Sequence, residues 1–291
     1  MIWTDLSASD IAEKITQLGN PISVHIAEQL LDEFDFHRRC AQKYLCMKAC
    51  PNRDEQFVNI ARLTQEYLDS GAPILSMDTK KRELIGNFYR DGSLLTKGTQ
   101  LTFDHDYPSF AEGVVIPHGL YDPRLNRGYL HLGTSCDTSE FACHCLKDWW
   151  RRFGREQYPG AKSLLLKCDG GGSNSANTYL FKADLQGVAD EVGLEIRVAH
   201  YPPYCSKYNP IEHRLFCHVS RACQGAIFTS VELVRRLMEK TKTRTGLSVV
   251  VDVVQEIYHR GRKLAEEVKD ALRIFRDNLL PKLNYRILPR S

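Results

Sequence analysis

The hydrophobic pattern of the chain changes period near residue 71. Before that point apolar residues recur at helical spacing: Ile11, Ile15 and Leu18, then Ile26, Leu30 and Phe34 after a break at Gly19, Asn20 and Pro21. Two short helices across such a turn make a helix-turn-helix candidate, and a plain helical hairpin fits the same pattern. Residues 37–50 and 54–69 read as further helices, the second placing Phe57, Ile60, Ala61 and Tyr67 for burial before Asp69, Ser70 and Gly71 end it. The pattern predicts a small all-helical region over 1–70 and a second domain over 71–291.

From Ala72 onward the segments PILSMDTK and RELIGNFYR read as strands, followed by an Asp91-Gly92 turn. Residues 98–135, rich in Gly, Pro and Tyr, read as loops joining two further strands. A helix is predicted over 138–153, with Phe141, Cys145, Trp149 and Phe153 along one side. A strand over 163–168, a helix over 176–192, a strand over 194–199 and a helix from Pro210 to about Cys223 come next. The tail holds a helix over 230–240, the run SVVVDVVQEIY of undecided type, and a last helix from about Leu264 to Leu280. Strands alternating with helices after an initial meander predict an α/β fold, a mixed sheet flanked by helices.

Composition narrows the class without naming a function. A hydrophobic fraction of 43% and a charged fraction of 26% are ordinary for a globular chain. No apolar run reaches the length of a membrane span and the first residues do not form a signal peptide, which places the protein in the cytoplasm. Ten cysteines without an export signal or a CxxC pair predict reduced, mostly buried thiols. A net charge of +3 decides nothing about nucleic acid, because steering follows local patches. The distribution says more: residues 1–36 hold one basic residue, Lys14, against seven acids, whereas 37–53 hold Arg38, Arg39, Lys43, Lys48 and Arg53 with no acid.

Three acids stand at comparable places. Asp78 ends the first strand, and Asp169 ends the strand of Leu164, Leu165 and Leu166, which Gly170 to Gly172 cut off at the sheet edge where open α/β folds keep their chemistry. Glu212 falls in the first turn of a helix that Asn209 can cap and Pro210 can start. Each has a plainer reading, a turn aspartate or a capping box. Should the three converge, two carboxylates roughly 4 Å apart repel by about 4 kcal/mol at an effective dielectric near 20. Divalent cations are the remedy; oxygen ligands favour Mg²⁺ or Mn²⁺, and two such ions promote phosphodiester displacement. A nucleotide-binding P-loop is excluded, since no Gly-Lys-Ser/Thr follows the glycines. Lys80, Lys81 and Lys207 are candidate phosphate contacts, and His200 and His213 flank the third acid.

The strings MDTKKRELIGNF, CDGGGSN and HYPPYCSKYNPIEHRLF, with LYDPRLNRGYLHLG and the closing LNYRILP, resemble the DDE-motif transposases of ISAzo-type bacterial insertion sequences, relatives of the Tc/mariner group and of retroviral integrases. The resemblance covers nearly the whole chain. It implies a ribonuclease-H-like fold over 71–291 with Asp78, Asp169 and Glu212 as catalytic metal ligands, Mg²⁺ or Mn²⁺ as two ions, and hydrolysis followed by strand transfer as the reaction. It also implies double-stranded DNA as partner, at the element's terminal inverted repeats and at a target, a homodimer, and a bacterial, nucleoid-associated location. The spacing from Asp169 to Glu212 is longer than in the mariner group, so the assignment rests on motif context. Residues 1–70 resemble an incomplete helix-turn-helix DNA-binding region, with Arg38, Arg39, Lys43, Lys80 and Lys207 as candidate DNA contacts. A catalytically silent, transposase-derived DNA-binding protein is the alternative, and a ribonuclease-H-like nuclease acting on RNA hybrids is a further one.

Overall fold

The computed structural model describes residues 3–40 and 52–290, which fall into two compact units, 1–49 and 50–291. The first unit holds α1 (Ala8–Gln17) and α2 (Val24–Glu33). Ser7 and Asp10 cap α1 reciprocally, and the Ser23 hydroxyl accepts the Ile26 amide to start α2. Residues 36–40 are not helical, and the remainder of the helix predicted over 37–50 lies outside the described residues.

The helix α3 (Arg53–Ser70) belongs to the second unit, whereas its sequence grouped it with the N-terminal region. Its amphipathic period reports a buried face without reporting what covers that face. Here Ile60 and Leu63 pack on Ile74, Leu165, Ala199 and Tyr201, while Gln56 and Asn59 reach the buried Asn284 side chain.

After α3 come β1 (Ile74–Thr79), β2 (Glu83–Ile85), β3 (Gly113–Asp122), β4 (Arg127–Gly133), α4 (Ser139–Trp149), the short α5 (Arg155–Gln157), β5 (Ser163–Cys168), α6 (Tyr179–Val192) and β6 (Glu195–His200). The chain closes with α7 (Cys217–Ala222), α8 (Val231–Glu239), β7 (Ser248–Val253), α9 (Glu266–Asp270), β8 (Ile274–Arg276) and β9 (Asn284–Ile287). The strands order as β7-β4-β3-β1-β5-β6-β9-β8, with β2 paired to β3. Strand β1 runs antiparallel to β3 and parallel to β5, which is parallel to β6, so the mixed α/β sheet expected from the sequence is the one observed.

Apolar side chains alternate across this sheet and are covered on both faces. Leu75, Met77, Leu164, Leu166 and Ile196 meet α4 and α6 through Leu146, Trp149, Phe181 and Leu185. On the other face Tyr121, Leu130, Leu132 and Val249 meet Ile211, Leu215, Phe216 and the α8 residues Val234 and Met238.

Two predicted segments differ. The strings GVVIPHGLYD and RGYLHLG are themselves β3 and β4, a long hairpin whose Pro117 and glycines disguise its strand period. The helix predicted over 264–280 is only α9, and β8 follows within the predicted span. Strand β9 supplies the reason: it pairs both β6 and β8, and the Asn284 side chain donates to the Leu279 carbonyl at a turn where Leu280 has φ +47°. Backbone pairing to a sheet edge outweighs the helical period of an exposed stretch.

Five of the eight described cysteines are buried, and Cys46 and Cys50 lie outside the described residues. No described helix is long and apolar enough to cross a membrane.

Candidate active site

Parallel pairing places the first two acids. Met77 and Cys168 are register partners, so Asp78 and Asp169 come next, side by side at the carboxyl ends of adjacent strands. Since Met77 and Cys168 face the α4–α6 core, alternation turns Asp78 toward the opposite face. That face carries the segment with the third acid.

Glu212 opens a π-helical turn, Glu212–Phe216, that runs into α7. Such turns are rare and concentrate at functional sites. The turn lies flush on the sheet because the floor beneath it has no side chains. A β-carbon at Gly119 would stand 2.6 Å from Phe216 Cε1, and one at Gly128 would stand 2.4 Å from Leu215 Cδ1. Gly119 is the register partner of Asp78, so the close approach occurs beside the first acid. The capping-box alternative for Asn209 and Glu212 is not realised. The Glu212 amide donates to the Asn209 carbonyl at 3.1 Å, and the Asn209 side chain, wholly buried, points its Nδ2 at the Met77 carbonyl at 3.4 Å. Asn209 thereby ties the turn carrying Glu212 to the residue before Asp78.

The electrostatics are those of crowded, under-compensated carboxyls. Burial first, and then the charge of Asp169, push the Asp78 carboxyl up to about 8; the Thr79 backbone amide opposes this at 2.8 Å, and Glu212 and Asp137 add to the rise. Burial likewise raises Asp169, opposed by a bond from the Gly171 amide. Glu212 is raised by burial and then by Asp169, with Lys80 and His213 pulling the other way. The loop of Gly170 to Gly172 is open around its glycines, no other chain atom coming nearer than 3.7 Å to a β-carbon at any of them. Only Gly172, at φ +58°, takes a backbone conformation that favours glycine.

Among the described residues only His131, Asp148 and Asp252 form a group of three or more ligand side chains whose donor atoms all lie within 4.8 Å of one another. There Arg152 already supplies the positive charge, its Nη1 lying 3.1 Å from Asp148 Oδ2 and 2.6 Å from Asp252 Oδ2. Asp169 and Glu212 raise the proton affinity of Asp78, and Asp169 raises that of Glu212, but the three stand wider than that limit. The donor set fits Mg²⁺ or Mn²⁺: all-oxygen, anionic and with no thiolate or imidazole aimed into it.

The other candidates fall in several places. Lys80 is paired with Glu83 and lies near Glu212; Lys207 sits in the Ser206–Tyr208 turn with its ammonium 5.1 Å from the centre of the Tyr208 ring. In the first unit Arg39 pairs with Asp35 at 3.1 Å and Arg38 is exposed, while Lys43 lies outside the described residues. His200 is a buried prop: Nδ1 lies 2.8 Å from the Asp169 carbonyl and Nε2 lies 3.0 Å from the Tyr285 hydroxyl. His213 is exposed next to Glu212. A cavity of about 670 Å³, walled by Tyr201, Pro202, Tyr204 and Leu283, opens beside Asp169. Pattern reading passed over Asp137, which precedes the Thr138 cap of α4 with nothing in the sequence to separate it from a turn residue.

A family model described as the Rhodopirellula transposase DDE domain matches residues 1–289. Among curated proteins there is no match. Among solved structures the chain is similar to the mariner Mos1 paired end complex with Mg, at 14% identity and TM-score 0.52, and to a pre-cleavage Mos1 transpososome, at 13% identity and TM-score 0.50. Each likeness covers 81% of this chain and 66% of the other, so the chain spans just under two thirds of the length of these proteins. At such identity the likeness shows the fold, the ribonuclease-H-like mixed sheet flanked by helices.

Proposed function

We propose that this chain, which belongs to the Rhodopirellula transposase DDE-domain family, is a DNA transposase in which Asp78, Asp169 and Glu212 hold divalent cations for phosphodiester cleavage and strand transfer. The observation that carries this reading is the set of three carboxyls, each raised by burial and by a neighbouring acid, with no arginine among the influences on any of them. Keeping such a group costs stability unless cations compensate it.

Asp78, Asp169 and Glu212 would hold Mg²⁺ or Mn²⁺, and their wide spread suits two ions better than one. Bound there, the ions supply an activated attacking oxygen and a neutralised leaving oxygen. The chain's own residues supply the frame. Thr79 and Gly171 orient the Asp78 and Asp169 carboxylates through backbone amides, and Asn209 fixes the turn of Glu212 against β1. Lys80, beside Glu212 at the site margin, is placed to meet a DNA phosphate once its pairing to Glu83 is shared. Lys207, Arg38, Arg39 and Lys43 are further backbone contacts in this reading, with the first unit, residues 1–49, as a helix-turn-helix-like DNA-binding region. The partners are the terminal inverted repeats of an insertion sequence and a target duplex, engaged by a homodimer at the bacterial nucleoid.

The test is Mg²⁺-dependent nicking of duplex DNA carrying the element ends. Asp78→Asn, Asp169→Asn and Glu212→Gln are each expected to lose activity by on the order of 10²–10³-fold, as when cation stabilisation worth several kcal/mol is removed. Salt-dependent DNA binding by the unaltered protein without any cleavage in Mg²⁺ or Mn²⁺ would instead favour a silent DNA-binding protein.

A further inference from the structure

A fourth carboxyl lies near the first two acids on another element. Asp137 is half-buried at the start of α4, directly before Thr138, whose hydroxyl accepts the Phe141 amide at 3.2 Å. Its Oδ1 accepts the Thr79 hydroxyl at 3.2 Å, and the nearby Ser173 side chain favours the charged form of its carboxyl. Thr79 follows Asp78 on β1, and Ser173 lies in the loop that follows Asp169. One side chain is therefore bonded to the strand end that carries Asp78 and lies beside the loop that follows Asp169.

The hydrogen-bond count makes the arrangement directional. The Thr79 hydroxyl has a single proton, and giving it to Asp137 leaves its lone pairs to accept from His118 Nδ1 at 2.9 Å. That assigns the Nδ1–H tautomer to His118, which is wholly buried and whose Nε2 has no hydrogen-bond partner. The chain His118 to Thr79 to Asp137 thus ends on the carboxylate as its only pure acceptor. Burial keeps His118 neutral, pushing it down to about 3, so the compensation for Asp137 comes from hydroxyls and from Arg260 nearby. The charge of Asp137 is felt at both Asp78 and Asp169.

We infer that Asp137 is a positioning residue of the cation site: bonded to Thr79 on one side and flanked by Ser173 on the other, its carboxylate sets the separation of Asp78 and Asp169 and adds a fourth negative charge near the cations. The inference rests on the cation-site reading proposed above. A carboxylate placed only to favour the α4 amino terminus would also precede Thr138. It would have no bearing on metal affinity.

The experiment is a Mn²⁺ titration of the full chain, read as free Mn²⁺ by electron paramagnetic resonance, with melting in EDTA alongside. Asp137→Asn keeps an acceptor oxygen for Thr79 and removes the charge. It is expected to weaken Mn²⁺ binding roughly 10-fold or more, the range seen when an outer-sphere partner of a metal ligand is lost. Its melting temperature in EDTA should hold or rise, because a repelling charge is gone. Ser173→Ala, which keeps Asp137 intact, is expected to weaken binding in the same direction by a smaller factor, about threefold. Asp137→Asn with unaltered Mn²⁺ affinity would overturn the inference, as would a fall in its EDTA melting temperature without any change in binding. If the unaltered protein binds no Mn²⁺, or Asp169→Asn binds as tightly as it does, the cation-site reading itself falls and takes the inference with it.

Discussion

Gly119 sits opposite Asp78 across the β1–β3 pairing, and a methyl group there would stand 2.6 Å from the buried Phe216 ring. The absence of a side chain at one position thus sets how near Glu212 comes to Asp78. Gly119→Ala is expected to cost about 1–3 kcal/mol, the range for overpacking a filled core. Lifting the Glu212–Phe216 turn should also weaken Mn²⁺ binding. Urea unfolding and a metal titration check the two effects, and unchanged binding in a folded variant would uncouple the glycine floor from the site.

Asn209 makes the other tether. Asn209→Ala removes the amide held over the Met77 carbonyl in a wholly buried position, and a loss of about 1–3 kcal/mol is expected. Nicking should fall further than this stability loss alone explains, because the turn of Glu212 loses its link to β1. Comparing activity with the folded fraction at one temperature measures this.

The pH dependence of the metal-free protein has a determined sign. Asp78 rises from 3.8 to about 8 on folding, so the folded state binds the extra proton and stability falls as pH increases between those values. Buried His118 and His200 move from 6.5 to about 3 and about 4, so their contribution rises with pH and is complete above 6.5. Between pH 6.5 and 8 the slope from Asp78 therefore stands out: the melting temperature in EDTA should drop across this window. Asp78→Asn should flatten it, and saturating Mg²⁺ should reverse it.

Arg152 holds Asp148 and Asp252 together, and none of these three residues influences the charge of Asp78, Asp169 or Glu212. Arg152→Met is expected to cost no more than about 1 kcal/mol, since the pairing is partly exposed, and to leave Mg²⁺-dependent nicking as it was. Thermal melting and the nicking assay read these together.

Much of this architecture was legible in the chain because period and punctuation agree in it. The apolar run of Leu164 to Leu166, stopped by glycines, marks β5, and the Pro-rich segment after residue 199 marks the end of β6. Asp78 and Asp169 could be placed at strand ends for that reason. What was hidden depends on long-range pairing. The placement of α3 on the sheet rests on Asn284, far along the chain, and β8 exists because β9 lies beside it. Pro117 masks a central strand. Asp137 looked like a turn residue, since its neighbours Thr79 and Ser173 come from other strand ends. The separation of the three acids was not foreseeable either, since a sequence carries their charges and not their distances.

The most direct measurement is anomalous diffraction from crystals of the protein soaked in Mn²⁺. The account predicts density among Asp78, Asp169 and Glu212, with the three carboxylates drawn closer together than in the metal-free chain. Density confined to His131, Asp148 and Asp252, or none at either place at saturating Mn²⁺, would contradict it.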